Sequence, residues 1–99
     1  MRVAITGAGG FLGSRVAQVL AADARVTALR LVDHGGLPDL AGAERLTGDL
    51  ADPALRAALI DGADAVIHLA AIPGGAAEAD PALARRVNLD ASIALLEAL

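Results

Sequence analysis

The chain has 99 residues, a net charge of −4 and no cysteine, which excludes a disulfide framework, a thiol nucleophile and thiolate metal ligands. Hydrophobic residues make up 56% of it, yet alanine supplies much of that share and Phe11 is the only aromatic, so each buried residue removes little area from water. With no basic cluster and no aromatic stacking platform, nucleic acid and anionic membrane surfaces are excluded as partners.

In chain order, Arg2 to Ile5 reads as a first strand, entered without the basic flank and long apolar core of a signal peptide. Thr6 then leads into Gly7-Ala8-Gly9-Gly10-Phe11-Leu12-Gly13, a strand turning into a helix around a phosphate. Each glycine of the G-x-x-G-x-x-G spacing answers a steric demand. Gly7 permits the tight turn, Gly10 lets backbone approach a pyrophosphate, and Gly13 lets the helix lie close to its strand. The N–H groups of the helix's first turn face the anion. A helix over Gly10 to Ala22 is predicted, with Phe11, Leu12, Val16, Val19 and Leu20 as its apolar face and Arg15 and Gln18 outward.

Arg25 to Val32 is predicted as the second strand, ending in Asp33, twenty positions beyond Gly13. A carboxylate at that spacing accepts hydrogen bonds from adenosine ribose hydroxyls and repels a 2′-phosphate, so NAD is expected over NADP. His34 offers no permanent cation for a phosphate, and the competing assignment of Asp33 is a turn residue before Gly35-Gly36. His34 to Leu40 has turn composition, so the second crossover is expected to be short or irregular.

Glu44 to Thr47 is predicted as the third strand, running into Gly48-Asp49-Leu50. Asp52-Pro53 supplies an N-cap and first-turn proline for a helix ending near Asp61-Gly62. Because Asp52 caps that helix, Asp49 is left at a strand end with no structural role, the alternative being a turn-forming Asp after Gly48. Ala65 to Leu69 reads as a central strand covered on both faces, and Asp80-Pro81 opens a long helix to the chain end. Alternating strands and helices predict an α/β, Rossmann-type, doubly wound parallel sheet. It would be incomplete, with about four strands in order 3-2-1-4 and the cofactor crevice at the reversal between the first and fourth.

Within this arrangement Ala70 and Ala71 are small enough for a nicotinamide ribose to lie across the end of the fourth strand. His68 reads as a core residue with one satisfied nitrogen. Asn88, costly inside a helix, either bonds backbone near the site or is an exposed helix residue. Arg85 and Arg86 read as a solvated helix face, with at most one meeting an anionic substrate. His34 and His68 have no ligand-like spacing, so no metal is expected.

The chain resembles the extended short-chain dehydrogenase/reductase family, which contains the NAD-dependent nucleotide-sugar epimerases and dehydratases. The resemblance spans the whole chain and rests on Thr6 to Gly13, Asp33, Gly48-Asp49-Leu50, His68-Leu69-Ala70-Ala71 and Val87-Asn88-Leu89-Asp90. His68-Leu69-Ala70-Ala71-Ile72, the glycine-containing loop after it, Ala77-Glu78-Ala79-Asp80 and Arg86 to Asp90 are similar to the D-erythronate dehydrogenase group, although Pro73-Gly74 offers no hydroxyl and Ala91-Ser92 replaces glycine-threonine.

The resemblance implies NAD as cofactor and oxidation of a hydroxyl on a sugar acid. It gives Asp49 the adenine amino group and Leu50 the adenine face, with an ordinary core position as the alternative for Leu50, and places Gly7, Gly10, Phe11, Leu12, Gly13, Asp33, Leu69, Ala70, Ala71 and Asn88 at the cofactor. It also implies a catalytic Tyr-x-x-x-Lys, yet this chain has neither tyrosine nor lysine. Residues 1–99 are therefore expected to be the amino-terminal part of a dinucleotide-binding domain, with catalytic and substrate regions beyond Leu99. The alternatives are a nucleotide-sugar epimerase or dehydratase, or a non-catalytic NAD-sensing module. A small-molecule substrate, a cytoplasmic location and compatibility with a homodimer of the complete protein complete the expectations.

Overall fold

The computed structural model describes residues 1–70 and 78–99. Its strands are β1 (Arg2–Thr6), β2 (Ala28–Asp33), β3 (Glu44–Thr47) and β4 (Ala65–His68), all parallel, in order β3-β2-β1-β4. The helices are α1 (Phe11–Ala21), α2 (Pro53–Ile60), α3 (Pro81–Arg85) and α4 (Ala91–Ala98), with a π-helical turn at Arg86–Asp90 between the last two. The order 3-2-1-4 is the one predicted, and the sheet is Rossmann-type with helices on both faces.

Strand alternation divides the core. Val3 and Ile5 of β1 join Leu29 and Leu31 of β2 in packing against Ala17, with Val16 and Leu20 of α1 beside them. Ala4 and Val32 point the other way, into a cluster with Leu59 of α2 and Ala91 and Leu95 of α4. The stripe that α1 buries is thus Gly13, Val16, Ala17 and Leu20. Phe11, Leu12 and Val19, which spacing alone puts on that face, are 78%, 59% and 70% exposed. Small residues at 13 and 17 bring the helix axis close to the sheet, which turns the larger ones outward. Arg15 stacks over the Phe11 ring, 4.5 Å from its centroid.

Two further expectations are corrected. β4 lies at an edge of the four-stranded sheet with all its residues half-buried, rather than covered on both faces. The long last helix is three pieces: Asp80 caps α3 by accepting from Leu83 N–H at 3.1 Å, and the π-helical turn then shifts the phase before α4. The second crossover has no helix, and Leu37, Leu40 and Ala43 from it pack on the α1-side core.

Arg30 connects the two ends of the β2–α2 region. Its Nη1 donates to the carbonyls of Ala58, Leu59 and Asp61 at 2.7–2.9 Å, closing the C-terminus of α2, while Nε donates to Glu44 at 2.8 Å. At the other end of α2, Asp52 accepts from Ala54 N–H at 2.9 Å, the cap predicted from Asp52-Pro53.

Candidate functional site

The carboxyl ends of β1, β2 and β4 open onto a cleft of about 400 Å³, lined among others by Gly7, Gly10, Asp33, Asp49, Leu69 and Ala70. It sits where strand order reverses between β1 and β4, the position at which doubly wound sheets bind ligands.

Gly7 opens the loop in a left-handed conformation, φ +70°. A Cβ there would also stand 2.7 Å from Ala70 N and from Leu69 C, so the residue is held by two demands at once. At Gly13 a Cβ would collide with the Gly7 carbonyl, which accounts for the closeness of α1 to its strand. Gly10 differs. Among the described residues the nearest atom to a Cβ there is Gly7 O at 3.3 Å, and the backbone is extended. No side chain caps α1 at Gly10 and no acidic residue occupies its first turn, so its N–H groups are presented to the cleft mouth. A helix start without a capping side chain or an acidic first turn suits an anion such as a phosphate.

Asp33, closing β2, has a side chain only 12% exposed that ties the glycine loop to the end of β2. Its Oδ2 accepts from Gly9 N–H at 2.9 Å, and its Oδ1 accepts from His34 N–H and lies 2.7 Å from His34 Nδ1. The carboxylate is thereby fixed beside the glycine loop before any ligand arrives. A carboxylate has about four acceptor directions, so ribose hydroxyls add to these bonds rather than replace them.

Asp49 also lines the cleft, and its Oδ1 accepts from Ala51 N–H at 2.9 Å in a local turn. The expectation that this carboxylate has no structural role is thereby corrected, although its place on the cleft stands. Leu50 is 6% exposed, packs in the α2-side core and lines the cleft, so a core role and a cleft role coexist in it. Arg56 Nη1 holds the Leu50 carbonyl at 2.8 Å.

Thr6 lies beneath the cleft floor. It is fully buried, and its Oγ1 accepts from Leu69 N–H at 3.0 Å and Ala70 N–H at 3.1 Å. His68 Nδ1 lies 2.6 Å from the same oxygen, and His68 Nε2 lies 2.7 Å from Ser92 Oγ. Both ring nitrogens are therefore partnered, rather than the single one expected. Burial pushes the His68 pKa below the ordinary imidazole value.

Not every expected site residue lines the cleft. Phe11, Leu12 and Gly13 begin α1 outside its lining, and Asn88 lies exposed on the π-helical turn. Ala71 and the Pro73-Gly74 departure fall outside the described residues. Val32, His34, Gly48 and Leu83 line the cleft although the sequence does not single them out for it, and Gly9 has a role that the glycine spacing does not assign. A Cβ on Gly9 would collide with the Gly35 carbonyl and come within 3.0 Å of Asp33 Oδ2. Only its being an extra, off-pattern glycine in the loop hints at this. Among the described residues no cluster could hold a metal, and no helix is long and apolar enough to cross a membrane.

Comparison with known proteins gives the same picture. D-erythronate dehydrogenase of Cupriavidus necator is 48% identical over 110 residues, covering 98% of this chain and 34% of the relative. A short-chain dehydrogenase/reductase superfamily protein from Agrobacterium tumefaciens, solved with bound NAD, superposes with a TM-score of 0.84 at 31% identity, over 99% of this chain and 28% of that one. MoeE5 in complex with UDP-glucuronic acid and NAD gives 0.84 at 30% identity, over 99% and 32%. The chain thus spans about a third of the length of that D-erythronate dehydrogenase. With residues 3–99 matching the family as a whole, and with its glycine loop, strand order and β2 carboxylate in place, the chain belongs to the NAD dependent epimerase/dehydratase family.

Proposed function

We propose that this chain binds NAD in the cleft at the ends of β1, β2 and β4, as the cofactor-binding part of an oxidoreductase acting on a hydroxyl of a sugar acid. The observation that carries the cofactor reading is Asp33: a nearly buried carboxylate, tied to Gly9 N–H at 2.9 Å, beside a glycine loop that leads into the uncapped start of α1. In this reading the pyrophosphate rests on the N–H groups at the start of α1, and Asp33 accepts from the adenosine ribose. Asp49 and Leu50 flank the adenine, and Gly7, Leu69 and Ala70 underlie the nicotinamide half. Asn88, Ala71, Phe11, Leu12 and Gly13 remain part of the proposed cofactor surroundings through family resemblance.

When bound, NAD supplies the acceptor for a hydride leaving the substrate carbon. The chain's residues bind and orient it. The family resemblance puts proton transfer on a Tyr-x-x-x-Lys pair, and this chain contains no tyrosine and no lysine, so the 99 residues alone are expected to bind cofactor without turnover. The identity to D-erythronate dehydrogenase supports a four-carbon sugar acid as substrate. The likeness to MoeE5, solved with UDP-glucuronic acid, supports a nucleotide sugar as the second reading.

Calorimetry tests the cofactor. NAD is expected to bind at least about tenfold more tightly than NADP, because the 2′-phosphate would meet the Asp33 carboxylate. Equal affinities would refute the reading. The substrate is tested with the complete protein, by NADH absorbance on addition of D-erythronate. A silent assay there, with turnover of a uridine diphosphate sugar, would select the second reading.

A further inference from the structure

Beneath the cleft floor, on the face of the sheet covered by α2 and α4, three neutral side chains form a continuous line. Ser92 on α4 meets His68 on β4, and His68 meets Thr6 on β1. The parallel register puts Thr6 opposite His68, and the phase set by the π-helical turn brings Ser92 over them.

Proton counting fixes the direction of this line. A threonine hydroxyl has one proton and two lone pairs. Thr6 Oγ1 already accepts from Leu69 N–H and Ala70 N–H, so its own proton points at the remaining partner, His68 Nδ1. Nδ1 is therefore the acceptor, and the ring's single hydrogen sits on Nε2 and is donated to Ser92 Oγ at 2.7 Å. The other tautomer, or the imidazolium, would aim a third donor at Thr6 Oγ1 and strand a hydroxyl proton in a fully buried place.

We propose that His68 is a positioning residue of the cofactor site: held by Ser92 in its neutral Nε2–H form, it orients the Thr6 hydroxyl and so fixes the Leu69–Ala70 backbone against Gly7. The inference rests on the NAD reading above. Its physical core is the tight contact at the cleft floor, where the space for a Gly7 Cβ is taken by Leu69 and Ala70 backbone at 2.7 Å. If that strand end moves, Gly7 moves with it, and Gly7, Leu69 and Ala70 all line the cleft. From β1 the ring faces Thr6 and from α4 it faces Ser92, neither of which titrates in the working range. The cleft's titratable groups, Asp33, His34 and Asp49, belong to the β2 and β3 ends.

The test uses nitrogen-15 NMR of the histidine rings with NAD calorimetry. The His68 signals are expected to report the Nε2–H tautomer above its titration. By linkage, a ligand that binds only the neutral form lowers the pKa of that group, so saturating NAD is expected to move the His68 titration further down. This readout is resolved from His34. Ser92→Ala is expected to weaken NAD about fivefold and Ser92→Thr, which keeps the hydroxyl, to restore it. An Nδ1–H tautomer overturns the proposal, as does a His68 titration unmoved by NAD that demonstrably binds, or a Ser92→Ala protein with wild-type affinity. Absence of NAD binding to the wild-type protein would overturn the cofactor reading and the positioning role together, and so is distinguishable from those results.

Discussion

Gly7 and Gly10 stand three residues apart in one loop, and the space around them differs. At Gly7 the backbone is left-handed and strand-end atoms occupy the Cβ position, whereas at Gly10 the backbone is extended and a Cβ would meet only Gly7 O, at a tight 3.3 Å. Gly7→Ala is expected to destabilise the fold by about 1–3 kcal/mol from backbone strain, before any clash is counted, measured as a lowered urea midpoint. Gly10→Val is expected to lower that midpoint less than Gly7→Ala does and to reduce NAD affinity about tenfold or more, read by calorimetry. Loss of stability without loss of affinity at Gly10 would contradict the proposed phosphate position. The glycine loop and Asp33 are readable from sequence because their spacing is local to one strand–loop–helix unit. Gly9 is not, because what forbids its Cβ is Gly35, a residue of the next crossover. Asp49 misleads for a related reason: an Asp side chain bonding its own turn leaves no mark in the sequence beyond the turn composition.

Helix ends carry much of the element-scale organisation. The start of α2 is legible as Asp52-Pro53, since a cap and a first-turn proline are adjacent residues with fixed chemistry. Its far end is closed by Arg30 from β2, a partner that no reading along the helix could supply. Arg30→Met keeps most of the aliphatic stem but removes the donors, and is expected to cost about 1–3 kcal/mol in denaturant unfolding, with NAD affinity of the folded protein little changed. The break at Arg86–Asp90 is illegible because a π-helical turn adds one residue per turn without changing composition, so apolar spacing still resembles one helix. The buried face of α1 escapes the apolar spacing because the small residues Gly13 and Ala17, which define the contact, carry little hydrophobic signal.

For the whole molecule, strand order follows from alternation of element types and the handedness of crossovers, and it puts the ends of β1, β2 and β4 on one side. Core thickness is legible from composition: the largest fully buried side chains are Ile5, Leu31, Leu59 and Leu95, with no aromatic among them. Such a core leaves stability sensitive to single buried polar groups. His68 titrates below its ordinary value in the folded state because it is buried, so the unfolded state binds a proton first as pH falls. Stability is then fully present above about pH 6.5 and declines below it. Melting temperature is expected to fall between about pH 7.5 and about pH 5.5, and His68→Asn is expected to flatten that decline. Asp23, held at about 2 chiefly by its hydrogen bond from Arg25, titrates well outside this window.

The bond between Gly9 N–H and Asp33 bears on any attempt to redesign the coenzyme preference of this scaffold. Exchanging the acid for a neutral residue, the obvious step toward accepting a phosphorylated ribose, would also take away the anchor of the loop proposed to cradle the diphosphate. A successful swap must therefore bring both a cation for the new phosphate and a substitute acceptor for that amide, so one-residue conversions are expected to lose the old coenzyme without gaining the new one.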